Sequence, residues 1–183
     1  LQAADQLSGG KLTKNSVLIT GASGGLIGAR YFRELKMRAQ LGEAINPYAS
    51  IHREKISTDN LNPLIFSLLA NDIFIGFTKF DYAGKAYTRD RAFTFEDQLN
   101  QITEGLMDRP IRDYAQEEAL GNIPMVILTP TVINDGRKLY IASRPVSFMN
   151  SEVEHFENYH QAKVSGIDFH RFFKTQDSED LRF

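Results

Sequence analysis

The stretch Ser16–Gly28, SVLITGASGGLIG, constrains the fold of this chain more than any other. It opens with the apolar run Val17–Ile19, whose shortness and β-branched content are typical of a buried strand. A glycine-rich turn follows, and after it apolar residues recur with helical spacing at Leu26, Ile27, Ala29, Phe32, Leu35 and Met37. The sequence therefore predicts a buried strand, a tight turn and a helix whose polar positions are Arg30, Arg33, Glu34, Lys36 and Arg38.

The turn matches the G-x-S-x-G pattern of a nucleophile elbow, with Gly21 and Gly25 on either side of Ser23. In such an elbow the serine has a strained backbone that exposes its Oγ, and the glycines let strand and helix approach closely. The amide of Gly24 would point to the place where a tetrahedral oxyanion forms, and the start of the helix adds its positive dipole end. The pattern predicts a serine nucleophile and an oxyanion donor.

The same turn is also similar to a dinucleotide-binding loop, in which glycine amides at a helix N-terminus hold a pyrophosphate. Thr20–Gly25 looks like the opening of a short-chain dehydrogenase, whose T-G-x-x-x-G-x-G pattern requires a glycine where this chain has Ile27. The next glycine, Gly28, comes one residue late. A third interpretation is a plain strand-to-helix turn in which Ser23 caps the helix.

Composition narrows the class of protein. The chain has 183 residues, 42% of them hydrophobic and 24% charged, which is typical of a globular protein with one domain and a real core. A net charge of −2 and the lack of a Lys/Arg block give no sign of nucleic-acid binding. The absence of cysteine excludes disulfides, a thiolate zinc site and a cysteine nucleophile. The sequence predicts neither a signal peptide nor a membrane span, and it implies no cofactor.

The remaining elements follow from periodicity and turn residues. Gly42–Asn60 is polar and turn-rich without an apolar strand, Leu61–Ile73 predicts a core helix, and the aromatic stretch Phe74–Tyr87 predicts a hairpin or a wall for a lipid chain. Helices are predicted over Phe95–Leu106 and Ile111–Leu120, strands over Pro124–Thr129 and Lys138–Ser143, a hairpin turn at Asn134–Gly136, and a segment docked on the core at Gly166–Phe173.

The GASGG turn with the following LIGARYFREL resembles the patatin-like phospholipase family. Three later stretches resemble a bacterial branch of that family, namely LNPLIFSLLANDIF, ILTPTVINDGRKLYIASRPVSF and GIDFHRFFKTQDSEDLRF. The resemblance covers most of the chain from Ser16 to Phe183, and GxSGG is its one strict motif. Patatin-like enzymes are lipid acyl hydrolases with a Ser-Asp dyad and no histidine. The resemblance implies that Ser23 is the nucleophile and that the Gly24 amide belongs to the oxyanion hole.

Two parts of the family pattern are missing from the chain. A glycine-rich oxyanion loop normally precedes the elbow strand, and no such loop is recognisable in Leu1–Asn15. The dyad aspartate normally lies in a D-G-G or D-G-A motif, but here Asp135-Gly136 is followed by Arg137. Asp135 is therefore a candidate for the dyad acid, with a turn-forming residue as the alternative. We expect residues 1–183 to be part of a larger patatin-like domain whose dyad aspartate lies beyond Phe183.

Other interpretations stay open. Tyr159 and Lys163 form a Y-x-x-x-K pattern, in which a lysine one helical turn away lowers the pKa of the phenol, as the dehydrogenase interpretation requires. An α/β-hydrolase triad would use Ser23, Asp135 and one of three histidines, His155, His160 or His170. The chain could also be an inert binding module on a hydrolase fold. A metal site is not predicted, because His155 and His160 are five residues apart, which is not the spacing of ligands on one helix face.

These observations predict an α/β protein that forms part of a three-layer α/β/α patatin-like hydrolase fold. Its expected activity is the cleavage of lipid or other carboxylic esters through an acyl-enzyme on Ser23. The protein is expected in the cytoplasm or at the periphery of a membrane, with its lipid or ester substrate at a membrane surface. The sequence does not indicate the oligomeric state.

Overall fold

A computed structural model of the chain describes residues 1–57, 78–82, 84–150 and 166–172. The chain divides into two compact units, one formed by Leu1–Tyr48 with Arg109–Phe183 and the other by Ala49–Asp108. Both units contain helices and strands, and the strands of the described residues form small two-stranded sheets. The prediction of a mixed α/β protein is confirmed at that level.

The described elements are helices and short strands. The helices are α1 (Gln2–Leu7), α2 (Lys11–Lys14), α3 (Ser23–Gln40), α4 (Ser50–Ile56), α5 (Arg91–Ile102), α6 (Ala115–Ala119) and α7 (Phe169–Phe172). The strands are β1 (Leu18–Thr20), β2 (Thr78–Tyr82), β3 (Lys85–Arg89), β4 (Met125–Ile127), β5 (Lys138–Tyr140) and β6 (Gly166–Asp168). Single 3₁₀ turns cover Ile111–Tyr114 and Ser147–Met149. The helix predicted over Leu61–Ile73 lies outside the described residues.

The first unit is built around the parallel pair β1–β4, as the two apolar runs predict. Leu18 pairs with Met125 and Thr20 with Ile127, so the carboxyl ends of both strands reach the same edge. An apolar cluster joins this pair to the start of α3, with Leu26, Val126 and Leu128 buried and Ile19, Ile111 and Ile141 packed around them. The packing of Leu26 places the first turns of α3 directly over the strands.

The strand β1 forms where it is predicted, but the prediction that it is buried is wrong. Val17, just before the strand, is 84% exposed and Leu18 is 46% exposed, whereas Ile19 is partly packed in the cluster. Strand side chains point to alternate faces, so Ile19 packs in the cluster while its neighbour Leu18 points to the other face, and Val17 lies before the strand begins.

Helix α3 buries part of its polar side. Arg30, Arg33 and Glu34 are 2%, 3% and 0% exposed. Arg33 forms a buried ion pair with Glu118 of α6, and its Nη1 also donates to the carbonyl of Pro124 at 3.0 Å. Such burial is tolerated only where the charges are paired. The pattern of polar positions therefore locates the helix without indicating which of those positions face solvent.

A second set of charges surrounds Tyr114, which is 1% exposed. The Arg33 guanidinium carbon lies 4.2 Å from the centre of the tyrosine ring, and those of Arg109 and Arg30 lie at 5.8 and 5.9 Å. Glu34 accepts hydrogen bonds from Arg38 Nε at 2.7 Å and Arg109 Nε at 3.2 Å. Burial, together with the negative charge of Glu34, raises the pKa of Tyr114 to about 12, so its hydroxyl is neutral at ordinary pH.

The predicted hairpin after β4 is confirmed. Antiparallel bridges join Leu128 to Ile141 and Thr131 to Lys138. Between them the chain reverses in a tight turn, in which the Gly136 N–H donates to the carbonyl of Val132 at 2.8 Å. Gly136 has a φ of 76°, a left-handed conformation that glycine adopts without strain. β5 then pairs in parallel with β6.

The second unit contains the hairpin β2–β3 and helices α4 and α5. Phe80 and Tyr87 face each other across the hairpin with ring centres 5.8 Å apart, and Phe80 lies 4.6 Å from Phe93 of α5. These aromatic side chains thus join the hairpin to the helix. The hairpin expected within Phe74–Tyr87 is confirmed for the described part of that stretch.

The predicted limits of the second unit's long helix, Phe95–Leu106, are wrong. Helix α5 begins four residues earlier because Asp90 caps it, its Oδ1 accepting from Phe93 N at 3.0 Å. It ends at Ile102 because Gly105, with a φ of 79°, turns the chain and donates to the carbonyl of Asn100 at 2.9 Å.

Candidate active site

The site predicted from the sequence lies where β1 passes into α3. β1 ends at Thr20, Gly21 and Ala22 form the connection, and α3 begins at Ser23. Since β1 and β4 are parallel, this connection lies at the edge where the carboxyl ends of both strands meet. That edge is where open α/β sheets bind their ligands.

The backbone of Ser23 is in the left-handed region, with a φ of 53°. For a residue other than glycine this conformation costs about 1–2 kcal/mol. Glu104 shares it among the described non-glycine residues, but there it follows the end of α5, where left-handed residues commonly stop helices. At Ser23 the same strain occurs at the start of a helix, where helix termination does not explain it.

The side chain of Ser23 is exposed and does not cap the helix. The N-cap position is held by Ala22, with φ −134° and ψ 153°, and no side chain accepts a capping hydrogen bond there. Within the described part of the chain, no hydrogen bond to the Ser23 hydroxyl is found. The interpretation of Ser23 as a plain cap therefore lacks the hydrogen bond that defines a cap.

The three glycines around Ser23 have different surroundings. A Cβ at Gly21 would lie 3.7 Å from Cβ of Leu26, an ordinary contact between turn and helix. At Gly24 and Gly25 a Cβ would meet nothing within 4 Å. The expected close approach of strand and helix thus involves Gly21, whereas Gly24 and Gly25 border open space beside the serine.

The amide of Gly24 belongs to the first turn of α3. The first N–H groups of a helix have no partner within the helix, and the aligned peptide dipoles add partial positive charge at this end. Helix α3 has 18 residues, long enough for its dipole to be well developed. An anionic oxygen bound beside Ser23 would therefore meet an N–H donor at the positive end of a helix.

Comparison with known protein families, curated proteins and solved structures finds no match to this chain.

Asp135 lies in the exposed hairpin turn after β4. Its Oδ1 accepts from the N–H of Arg137 at 3.0 Å, and its Oδ2 accepts from Arg137 Nε at 2.7 Å. These bonds are typical of an aspartate that stabilises a turn. No hydrogen bond between Asp135 and Ser23 is found in the described residues, so the predicted dyad contact is not formed there.

Of the three candidate histidines, His170 alone lies in the described residues. It follows β6, and its ring Nε2 is 2.8 Å from the carbonyl oxygen of Ala142. Its backbone N–H donates to the Asp168 carboxylate at 3.0 Å. His170 is thus tied to the β5–β6 pair. His155, His160 and the Tyr159–Lys163 pattern lie outside the described residues.

Neither a metal centre nor a membrane span is found in the described part of the chain. No group of three or more His, Asp or Glu side chains is arranged there to hold a metal ion. None of the described helices is long and apolar enough to cross a bilayer.

The strain at Ser23 is measurable through stability. We expect Ser23→Gly to be more stable than Ser50→Gly by about 1–2 kcal/mol, because glycine relieves a left-handed backbone but weakens an ordinary helical position. Ser50 is a matched control, since it is also exposed and is the first residue of a helix, but has no positive φ. Urea unfolding followed by circular dichroism measures both variants. Equal losses of stability would contradict a strained backbone at Ser23.

Proposed function

We propose that this protein hydrolyses carboxylic esters, with lipid esters as the expected substrates, by nucleophilic attack of Ser23. The observation that carries the proposal is the left-handed backbone of an exposed serine between a parallel strand and a helix. That conformation presents a hydroxyl at the top of the turn, which is what a nucleophile elbow requires. We further propose that the chain belongs to a three-layer α/β/α fold of the patatin-like type.

In the proposed reaction Ser23 Oγ attacks the ester carbonyl carbon, and its proton passes to a carboxylate acting as general base. The negative charge on the carbonyl oxygen is stabilised by the Gly24 N–H and the start of α3; one such donor is worth about 3–4 kcal/mol of barrier. The tetrahedral intermediate collapses, the alcohol leaves with the proton, and Ser23 remains acylated. Water, activated by the same carboxylate, then releases the acid and restores the serine.

The general base of the proposal is an aspartate, either Asp135 or a residue outside the described part of the protein. Use of Asp135 requires its bonds to Arg137 to open, since both carboxylate oxygens accept from that residue. Catalytic hydrogen bonds are often loose without substrate and tighten in the complex. The Asp135→Asn variant distinguishes the two cases: a large loss of activity assigns the base to Asp135, and unchanged activity assigns it elsewhere.

The geometry favours the hydrolase over the dehydrogenase interpretation. A pyrophosphate loop needs glycine where α3 carries Ile27, and it makes no use of a strained serine. The described part of Gly42–Asn60 contains the helix α4, which the sequence did not predict, and no strand to carry a ribose-binding acid. Titration with NADH or NADPH is expected to give no saturable change in fluorescence.

The proposal is tested with a fluorophosphonate probe, which reacts with activated serines. We expect labelling of the wild-type protein and of Ser50→Ala, and none of Ser23→Ala, with the modified residue identified by peptide mass spectrometry. Ser50 is an exposed helix-starting serine without a left-handed backbone, so it controls for simple exposure. Labelling that persists in a folded Ser23→Ala variant would refute the role of Ser23. A folded wild-type protein that takes no label would favour the inert-module alternative.

A further inference from the structure

A cleft of about 360 Å³ opens in the first unit, away from Ser23. Ile123 and Pro124, which precede β4, form part of its wall, together with Lys36 and Gln40 from the last turns of α3. Ser23 instead follows the carboxyl end of the parallel partner β1. Because β1 and β4 run in the same direction, the cleft extends from the amino end of the pair as far as Ile19, whereas the serine follows the carboxyl end.

The charged side chains that line this cleft all carry positive charge, and they are Lys14, Arg33 and Lys36. Carboxylates pair with two of them, since Lys36 Nζ lies 3.3 Å from Asp5 and Arg33 pairs with Glu118. Neither carboxylate lines the cleft, and Asp5 is fully buried. A molecule in the cleft therefore faces cations while their counter-charges lie within the protein, an arrangement that favours an anion.

The two lysines have hydrogen-bonding capacity left for a molecule in the cleft. Lys14 is exposed on α2, and no ion pair to it is found in the described residues. Lys36 donates to Tyr48 at 2.9 Å and faces Asp5, which accounts for two of its three donors. Arg33 is 3% exposed, and its Nε is a buried donor without a partner in the described chain. Because this nitrogen has almost no accessible surface, Arg33 contributes positive charge to the wall of the cleft but no direct donor.

We propose that this cleft binds a phosphate-type anion, with Lys14 and Lys36 as the cationic donors and Arg33 as a buried charge in its wall. Phosphate and its monoesters provide the several acceptor oxygens that such a set of donors needs. The volume lies within the range of small-molecule sites, so the phosphate can carry a substituent. The site is independent of the proposed ester hydrolysis, because none of its residues belongs to the turn around Ser23.

The test measures the thermal unfolding midpoint as inorganic phosphate is added at constant ionic strength with chloride as the balancing ion. We expect a saturable rise for the wild type, because a ligand that binds only the folded state stabilises it. Lys14→Gln should weaken the apparent affinity by about tenfold or more, as loss of a charge-assisted contact implies. Lys11→Gln is the matched control, since Lys11 is an exposed lysine of the same helix that does not line the cleft. Lys11→Gln should behave like the wild type.

Three outcomes would overturn the proposal: no saturable rise in the wild type, equal weakening in Lys11→Gln and Lys14→Gln, or loss of the effect in Ser23→Ala. The last result would place the anion at the start of α3. Two further probes identify the source of the phosphate group. Binding of glycerol 3-phosphate in solution supports a soluble phosphate ester. Lys14-dependent binding to vesicles of phosphatidic acid in phosphatidylcholine, without binding of glycerol 3-phosphate, supports a lipid headgroup.

Discussion

The Arg33→Met variant is expected to lose about 3–5 kcal/mol of unfolding free energy, because it leaves the buried Glu118 carboxylate without its cation. Glu118 is 8% exposed and its other oxygen accepts from the Ser143 hydroxyl, so the residue cannot easily turn outward. Arg33 also donates to the carbonyl of Pro124 at 3.0 Å, a bond that methionine does not replace. Urea unfolding followed by circular dichroism at neutral pH gives the free energy.

Two further variants separate the lost charge pair from a general effect of replacing arginine. Arg112 is 46% exposed and lies 3.6 Å from its neighbour Asp113, so Arg112→Met should change stability by no more than about 0.5 kcal/mol. The double variant Arg33→Met with Glu118→Leu removes both charges and should be more stable than Arg33→Met alone. A small loss in Arg33→Met, matching that of Arg112→Met, would contradict the buried pair.

The Asp5→Ala variant is expected to lose about 3 kcal/mol, because a fully buried carboxylate holds the first two helices to α3. Its Oδ1 accepts from the backbone N–H of Thr13 at 2.8 Å and from the Thr13 hydroxyl at 2.9 Å. Its Oδ2 accepts from the Tyr48 hydroxyl at 2.7 Å and faces Lys36 Nζ at 3.3 Å. Alanine removes the carboxylate and leaves the donors on Thr13 and Tyr48 without their acceptor.

The loss in Asp5→Ala should depend on pH. Burial by itself raises the pKa of Asp5, but the hydrogen bonds from Thr13, Tyr48 and Lys36 outweigh it and hold the pKa below its usual value. A lowered pKa means that the stabilisation is present above the unfolded pKa of about 3.9 and is lost as pH falls through the folded pKa. The difference between wild type and Asp5→Ala should therefore shrink in acid. Asp113→Ala, at an exposed site, should differ little from the wild type in unfolding free energy at every pH. A loss of stability in Asp5→Ala that does not change with pH would contradict a charged Asp5 carboxylate.

Local sequence signals located most of the described elements of the first unit. The apolar runs before Gly21 and after Pro124 are strands, and they pair in parallel. The turn around Gly136 reverses the chain as its residues predict, because glycine adopts the required positive φ without strain. The helix after Ser23 begins at the serine itself. Such features depend on neighbours within a few residues, which is why one sequence is enough to predict them.

Burial and charge pairing could not be predicted in the same way. The partner of Arg33 is Glu118, 85 residues away along the chain, and the hydrogen bond between Tyr48 and Asp5 spans 43 residues. No periodic pattern identifies contacts at such separations. The exposure of Val17 likewise depends on which distant segments pack over this part of the chain.

The sequence by itself determined the order of strand, glycine turn and helix and the position of Ser23 between them, because steric and hydrogen-bonding preferences act over short segments. Only the tertiary structure decided that three polar residues of α3 lie in the interior, and that the carboxylates paired with Arg33 and Lys36 lie outside the wall of the cleft. These properties depend on how distant segments pack, since desolvation and pairing of charges exist only once those segments meet.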